Sequence, residues 1–190
     1  MKRIKKCVII QINQAIKGGM DMFYEIDPKE FSCAPFKLIG DDWLLICAPD
    51  NTKESGANAM TASWGGIGVI WHKNVATVYV RPQRHTFSLM EDSDEVSLCF
   101  LGEQYREALK LCGTQSGKST DKIAKAQLPV TFDGNAPFID EADLVMVCKK
   151  AYSDYIKEEC FNDTAHLSSY PKKDYHKLYI LEIKKILAKK

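Results

Sequence analysis

The sequence carries almost no net charge: 26 Lys and Arg against 25 Asp and Glu leave +1 over 190 residues. That balance excludes a global field able to hold nucleic acid or an anionic membrane, so any anion site must be local. No C-x-x-C pair exists, and the nearest Cys and His grouping, Cys148, Cys160, His166 and His176, lacks the close ligand spacing of a structural zinc site. No metal is expected. Apolar runs long enough to span a bilayer are missing too. Lys2, Arg3, Lys5 and Lys6 before Cys7-Val8-Ile9-Ile10 imitate a secretory signal, but Gln11 breaks the apolar run too early. There is no internal repeat and no low-complexity tract.

Two nucleotide-binding signatures are present only as fragments. Gly113-Thr114-Gln115-Ser116-Gly117-Lys118-Ser119 imitates a phosphate-binding P-loop, yet Cys112 stands where the first glycine is required. Gly66-Ile67-Gly68 would need a glycine at position 71 to form a dinucleotide fingerprint, and that residue is Trp71. Triphosphate hydrolysis and Rossmann-type cofactor binding are therefore excluded. Small polar residues with a lysine near a helix start can still hold one phosphate.

What is present reads as one globular domain, with 45% hydrophobic and 27% charged residues. Gly18-Gly19 separates an N-terminal appendage, residues 1–19, from a domain over residues 20–190. Seven scattered cysteines, several inside apolar runs, fit reduced, buried thiols and a cytoplasmic location. Trp43 to Ala48, Val75 to Val80, Val96 to Leu101 and Leu144 to Cys148 read as strands. Thr86 is expected to cap a helix over residues 87–91, a second helix follows over residues 103–111, and Ser119 or Thr120 caps a third. Residues 175–187 fit strand or helix. Five or six strands separated by uneven loops and short helices suit a mainly β, antiparallel barrel with short helices (α+β) rather than a doubly wound sheet.

Two segments carry candidate chemistry. In Asn58-Ala59-Met60-Thr61-Ala62-Ser63-Trp64-Gly65-Gly66, small residues and hydroxyls let a planar ligand approach the backbone, and Trp64 can form a wall. By itself this segment also fits a strand ending in a glycine turn. In Arg81-Pro82-Gln83-Arg84-His85-Thr86, two arginines flank a rigid proline just before a helix, which suits a phosphate. Trp43 and Trp71 are assigned to core or subunit contacts. His72, His85 and His166 have no comparable support.

Together these segments resemble the flavin reductase-like family, with its FMN-binding split β-barrel, and its flavoredoxin-like members in particular. The resemblance covers roughly residues 22–187. Asn58 to Trp64 is similar to the family's N-x-M-T-x-S-W strand, and Arg81 to Thr86 to its R-P-x-R-x-T segment. Cys112-Gly113, Ser116-Gly117 and Asp121-Lys122 resemble its C-G-x-x-S-G and D-K loop, and Tyr175 to Ile180 its late H-x-x-Y-I strand. Leu181 before Glu182 departs from the family's usual glycine.

The resemblance implies FMN held by Asn58, Met60, Thr61, Ala62, Ser63, Trp64, Arg81, Gln83, Arg84, Thr86, Ser116, Gly117 and Lys122. It also places His176 on the side where NADH or NADPH delivers a hydride. It implies a homodimer and a flavin reductase that passes electrons to free flavin, oxygen or an electron-transfer protein. A non-enzymatic FMN electron carrier of flavoredoxin type is the alternative, and flavin storage or sensing a third. No nucleic acid or membrane partner is expected.

Overall fold

In a computed structural model, residues 22–190 are described; the expected appendage, residues 1–19, lies outside them. Besides short turns of π and 3-10 helix, the described residues hold ten strands and three short α-helices. They are β1 (Phe23–Ile26), β2 (Leu44–Pro49), β3 (Ala57–Ala62), β4 (Gly65–Ile70), β5 (Lys73–Val80), α1 (His85–Asp92), β6 (Glu95–Phe100), α2 (Arg106–Thr114), α3 (Lys122–Lys125), β7 (Val130–Asp133), β8 (Ala136–Ile139), β9 (Leu144–Tyr155) and β10 (Lys177–Lys189). The main sheet is antiparallel and runs β3-β2-β6-β9-β10-β5-β4, with β1 on the free end of β10. A small hairpin, β7–β8, stands apart from it.

The continuous apolar runs of the sequence arise because the central strands are buried on both faces. Along β2, Leu44, Ile46 and Ala48 enter one core with Met60, Val78, Leu98, Met146 and Tyr179. Leu45 and Cys47 enter a second with Cys99, Leu109, Phe138 and Val145, covered by α2 and the β7–β8 hairpin. β6 and β9 divide their side chains between the two cores in the same way. Each such aliphatic side chain contributes about 1.5–3 kcal/mol by leaving water, so the two cores fix strand register on both sides at once.

The sheet order positions the site. Its two end strands, β3 and β4, are consecutive in sequence and joined only by Ser63 and Trp64, yet they do not pair with each other. The sheet therefore curls until its ends meet at a two-residue link, a barrel split between β3 and β4. Backbone groups on the outer edge of β3 have no strand partner, and such groups need another donor or acceptor.

Several local expectations are corrected. Gly65 and Gly66 lie in β4 rather than a turn, because the chain must enter the strand close to Thr77; a Cβ on Gly65 would come within 2.5 Å of the Thr77 carbonyl oxygen. Trp71 is not core: it stands 55% exposed at the tip of the β4–β5 hairpin, where Trp71 and His72 both take positive φ (53° and 57°). That is the pattern of a two-residue primed turn, whose twist matches the strands. Asp121, not Ser119 or Thr120, caps α3, its carboxylate accepting from the Ala124 amide at 3.0 Å. Residues 177–189 are strand throughout, settled by pairing with both β9 and β5. Cys47, Cys99, Cys112 and Cys148 are buried, whereas Cys33 and Cys160 are exposed. Among the described residues, no helix is long and apolar enough to cross a membrane.

Candidate functional site

A cavity of about 180 Å³ opens at the split, lined by Met60, Thr61, Ala62, Ser63, Trp64, Tyr79, Arg81, Arg84 and His176. The structure thus brings the edge strand, the arginine segment and the late histidine, more than 110 positions apart in the chain, to one place. β10 carries His176 there because its first residues pair with the end of β5, Lys177 opposite Val80. Ser63, Trp64 and Tyr79 also border a larger cavity of about 680 Å³, lined otherwise by Pro35, Phe36, Ile39, Gly40, Gly65, Gly66, Ile67 and Ile156. No charged side chain lines this second space.

At the other end of β3 the polar groups converge. Asn58 is buried and donates from Nδ2 to the Thr86 hydroxyl at 2.8 Å. Thr86 therefore does not cap α1 as expected; the residue before the helix is Arg84, with no side-chain cap. Arg84 donates to the carbonyl oxygens of Gly113 (2.6 Å) and Cys112 (3.1 Å), and Lys122 donates to that same Cys112 oxygen at 3.2 Å. Neither cation has a carboxylate within ion-pair distance among the described residues. Burial holds the Lys122 pKa down at about 8, and the charge of Arg84 acts in the same direction. Buried Lys122 and half-buried Arg84, both facing carbonyl oxygens, form an electrostatic deficit that an anion would fill.

The loop between α2 and α3 closes over this spot. Gly117 is buried, and a Cβ there would fall 2.2 Å from Asn58 Oδ1 and 2.7 Å from His85 Cδ2, so only glycine lets the loop lie this close. Ser116 is exposed beside it, its Oγ accepting from the Lys118 amide. His85 is a neighbour that sequence reasoning missed. Its Nε2 lies 2.9 Å from Asp50 Oδ2, and the Asp50 carboxyl is buried with its pKa lowered, burial opposing and bonds from Thr52 and His85 prevailing. Thr61 lines the cavity, and its hydroxyl donates to the Leu109 carbonyl.

Arg81 is held differently. It lines the cavity but pairs with Asp174, donates to the Ser169 carbonyl at 2.9 Å and lies over the Tyr170 ring at 5.1 Å. Gln83, exposed, donates to the same Asp174 oxygen at 2.6 Å. His176 is buried, stacks on Trp64 with ring centroids 4.8 Å apart, and shares a 2.9 Å hydrogen bond between Nδ1 and the Tyr170 hydroxyl. Burial, then the charge of Arg81, lower its pKa to about 4, so it is neutral near pH 7. Asp174 and Tyr170 come from an irregular segment with no sequence pattern to flag it.

Comparison with known proteins agrees with this geometry. A family model described as "Flavin reductase like domain" matches residues 43–188. Among solved structures, flavoredoxin from Methanosarcina acetivorans is 20% identical, aligned over 76% of this chain and 67% of that one, with a TM-score of 0.58. An FMN-binding protein from Thermus thermophilus with bound 1-cyclohex-2-enone is 16% identical over 76% and 68%, TM-score 0.57. An FMN-binding domain of a flavin reductases-like enzyme from Shewanella baltica OS155 is 15% identical over 88% and 77%, TM-score 0.60. A comparison with curated proteins finds no match. The split barrel is the fold these structures share, and the chain belongs to the flavin reductase-like domain family.

Proposed function

We propose that the chain binds FMN at the split and works as an NAD(P)H-dependent flavin reductase. The observation that carries this reading is the pair of carboxylate-free cations, buried Lys122 and half-buried Arg84, beside an edge strand that runs on to Trp64 and an uncharged cavity. A ligand with a phosphate at one end and a planar, hydrogen-bonding ring at the other matches that polarity. Arg84, Lys122, Asn58, Thr86, Ser116 and Gly117 would take the phosphate. Backbone groups from Met60 to Ser63 would meet the ring, with Trp64 as a wall. Arg81, its charge already balanced by Asp174, and Gln83, bonded to the same carboxylate, would set the cavity's rim.

FMN held there by Arg84, Lys122 and the β3 backbone would supply the redox chemistry between a nicotinamide donor and an acceptor. The chain's part is to exclude water, offer donors to the ring edge that gains negative charge, and leave one ring face open. No fingerprint holds the nicotinamide, so the donor docks transiently from the 680 Å³ side, past Trp64 and His176. A second copy of the chain would cover the exposed Phe36 and Trp64 that rim this space.

Anaerobic mixing of the FMN-loaded protein with NADH and with NADPH tests the reading. Bleaching of the flavin absorbance within seconds by either, slowed in His176→Ala without loss of FMN, is the expected result. Bleaching by dithionite but by neither nicotinamide would replace it with a flavoredoxin-type electron carrier reduced by a protein partner.

A further inference from the structure

Tyr170 is 6% exposed at the end of the Thr164–Ser169 turn, boxed by Phe161, Tyr175 and the Arg81 guanidinium. Its hydroxyl lies 2.9 Å from His176 Nδ1. Two proton placements are conceivable for this pair. If Nδ1 carried the proton and donated, the phenol would have to send its own proton elsewhere, and no other acceptor for it exists among the described residues. If the phenol donates, Nδ1 is the acceptor and the imidazole proton must sit on Nε2. Burial keeps the phenol protonated by raising its pKa, and His176 is neutral, so both partners are in the states that the second placement requires.

We propose that Tyr170 is a positioning residue that fixes His176 as the Nε2–H tautomer, giving the small cavity a neutral hydrogen-bond donor suited to a carbonyl oxygen of a planar ligand. Nε2 has no protein partner among the described residues, and His176 lines the 180 Å³ cavity. The Trp64 stack, inclined at 42°, restrains the imidazole plane while Tyr170 sets its protonation. A neutral donor suits a ring carbonyl because Arg81 and Arg84 line the same cavity, and an imidazolium as a third positive charge beside them would be repelled. The charged and titratable groups around His176 are Arg81 from the end of β5, Arg84 beyond it, and Asp174, Tyr170 and Tyr175 from its own approach segment. The inference rests on reading this cavity as the place where a flavin ring is held.

The test begins with the unloaded full chain labelled with nitrogen-15 in histidine. Nuclear magnetic resonance should show His176 protonated on Nε2 and bare on Nδ1, without titrating between about pH 5 and 8. Tyr170→Phe keeps the ring packing and removes the donor; the two tautomers should then mix and the titration midpoint move upward. A wild-type proton on Nδ1, or an unchanged tautomer in Tyr170→Phe, overturns the proposal, whether or not any nicotinamide reacts.

With FMN loaded, Tyr170→Phe should slow bleaching by NADH or NADPH about tenfold, the worth of one hydrogen bond to a charge-gaining group. FMN affinity should stay within about twofold, since Tyr170 acts through another residue. In a His176→Gln background, whose amide donor has no tautomer to fix, the same substitution should cost less than about twofold. Equal losses in both backgrounds would assign Tyr170 a packing role and contradict the proposal.

Discussion

Arg84 and Lys122 donate to one and the same oxygen, the Cys112 carbonyl, from 3.1 and 3.2 Å. Two cations sharing a neutral acceptor, Lys122 buried and Arg84 half-buried, repel each other, and a phosphate would relieve that repulsion. Arg84→Ala or Lys122→Met should therefore weaken FMN by about 1.5–3 kcal/mol, the range for hydrogen bonds to charged groups, and riboflavin far less. Equilibrium titration of both flavins measures the difference; equal weakening would place these cations away from the phosphate.

The same pair sets a pH dependence. Lys122 has its pKa lowered to about 8 by burial, with Arg84 contributing, and a bound phosphate would raise it. FMN binding should thus be insensitive to this group below about pH 8 and weaken above it, as each complex must take up a proton. Riboflavin binding should show no such decline. In the unloaded protein the sign is opposite: a folded pKa below the unfolded one makes the charged lysine a cost at neutral pH. That cost should fade as pH rises from about 8 towards the ordinary lysine value near 10.4. Denaturation of wild type and Lys122→Met across this window reads it directly, stability rising with pH only where the lysine is present.

Gly117→Ala should lower FMN affinity without unfolding the chain. The added methyl would meet Asn58 Oδ1 at 2.2 Å and His85 Cδ2 at 2.7 Å, so the loop must lift from β3. Overpacking of this kind costs about 1–3 kcal/mol. A thermal melt should show a modest drop while titration shows the larger loss. Unchanged FMN binding would mean that the loop does not close over the cofactor.

Arg81 and Arg84 look alike in the sequence but should behave differently. Asp174 already balances Arg81, so Asp174→Ala should loosen the rim and lower the thermal midpoint of the chain modestly, as loss of a surface charge partner does. FMN and riboflavin affinity should fall together in Asp174→Ala and in Arg81→Ala. A loss confined to FMN in Arg81→Ala would return Arg81 to the phosphate.

Much of this was legible before any coordinates. The β2, β6 and β9 runs announced themselves because burial on two faces leaves no room for polar residues. Met60 to Trp64, Arg81 and Arg84, which line the cavity, were legible because each belongs to a local motif whose chemistry is visible in its own residues. Relations between distant segments were not legible. Asp174 balances Arg81 across 93 positions, and Tyr170 reaches His176 from an irregular segment without periodicity. Thr86 read as a helix cap because a threonine before an apolar run usually is one; the buried Asn58 amide competes for its hydroxyl and wins. Trp71 read as core or subunit contact by its type, and a two-residue turn places it at a hairpin tip outside the core of the chain.

The central claim is that the split of the barrel is an FMN site, and spectrophotometric titration of the purified chain with FMN tests it most directly. Binding should saturate near one FMN per chain, be much weaker for riboflavin, and lose that preference in the Arg84→Ala, Lys122→Met double variant. A chain that leaves FMN free in solution, or that binds FMN and riboflavin alike, would contradict the account.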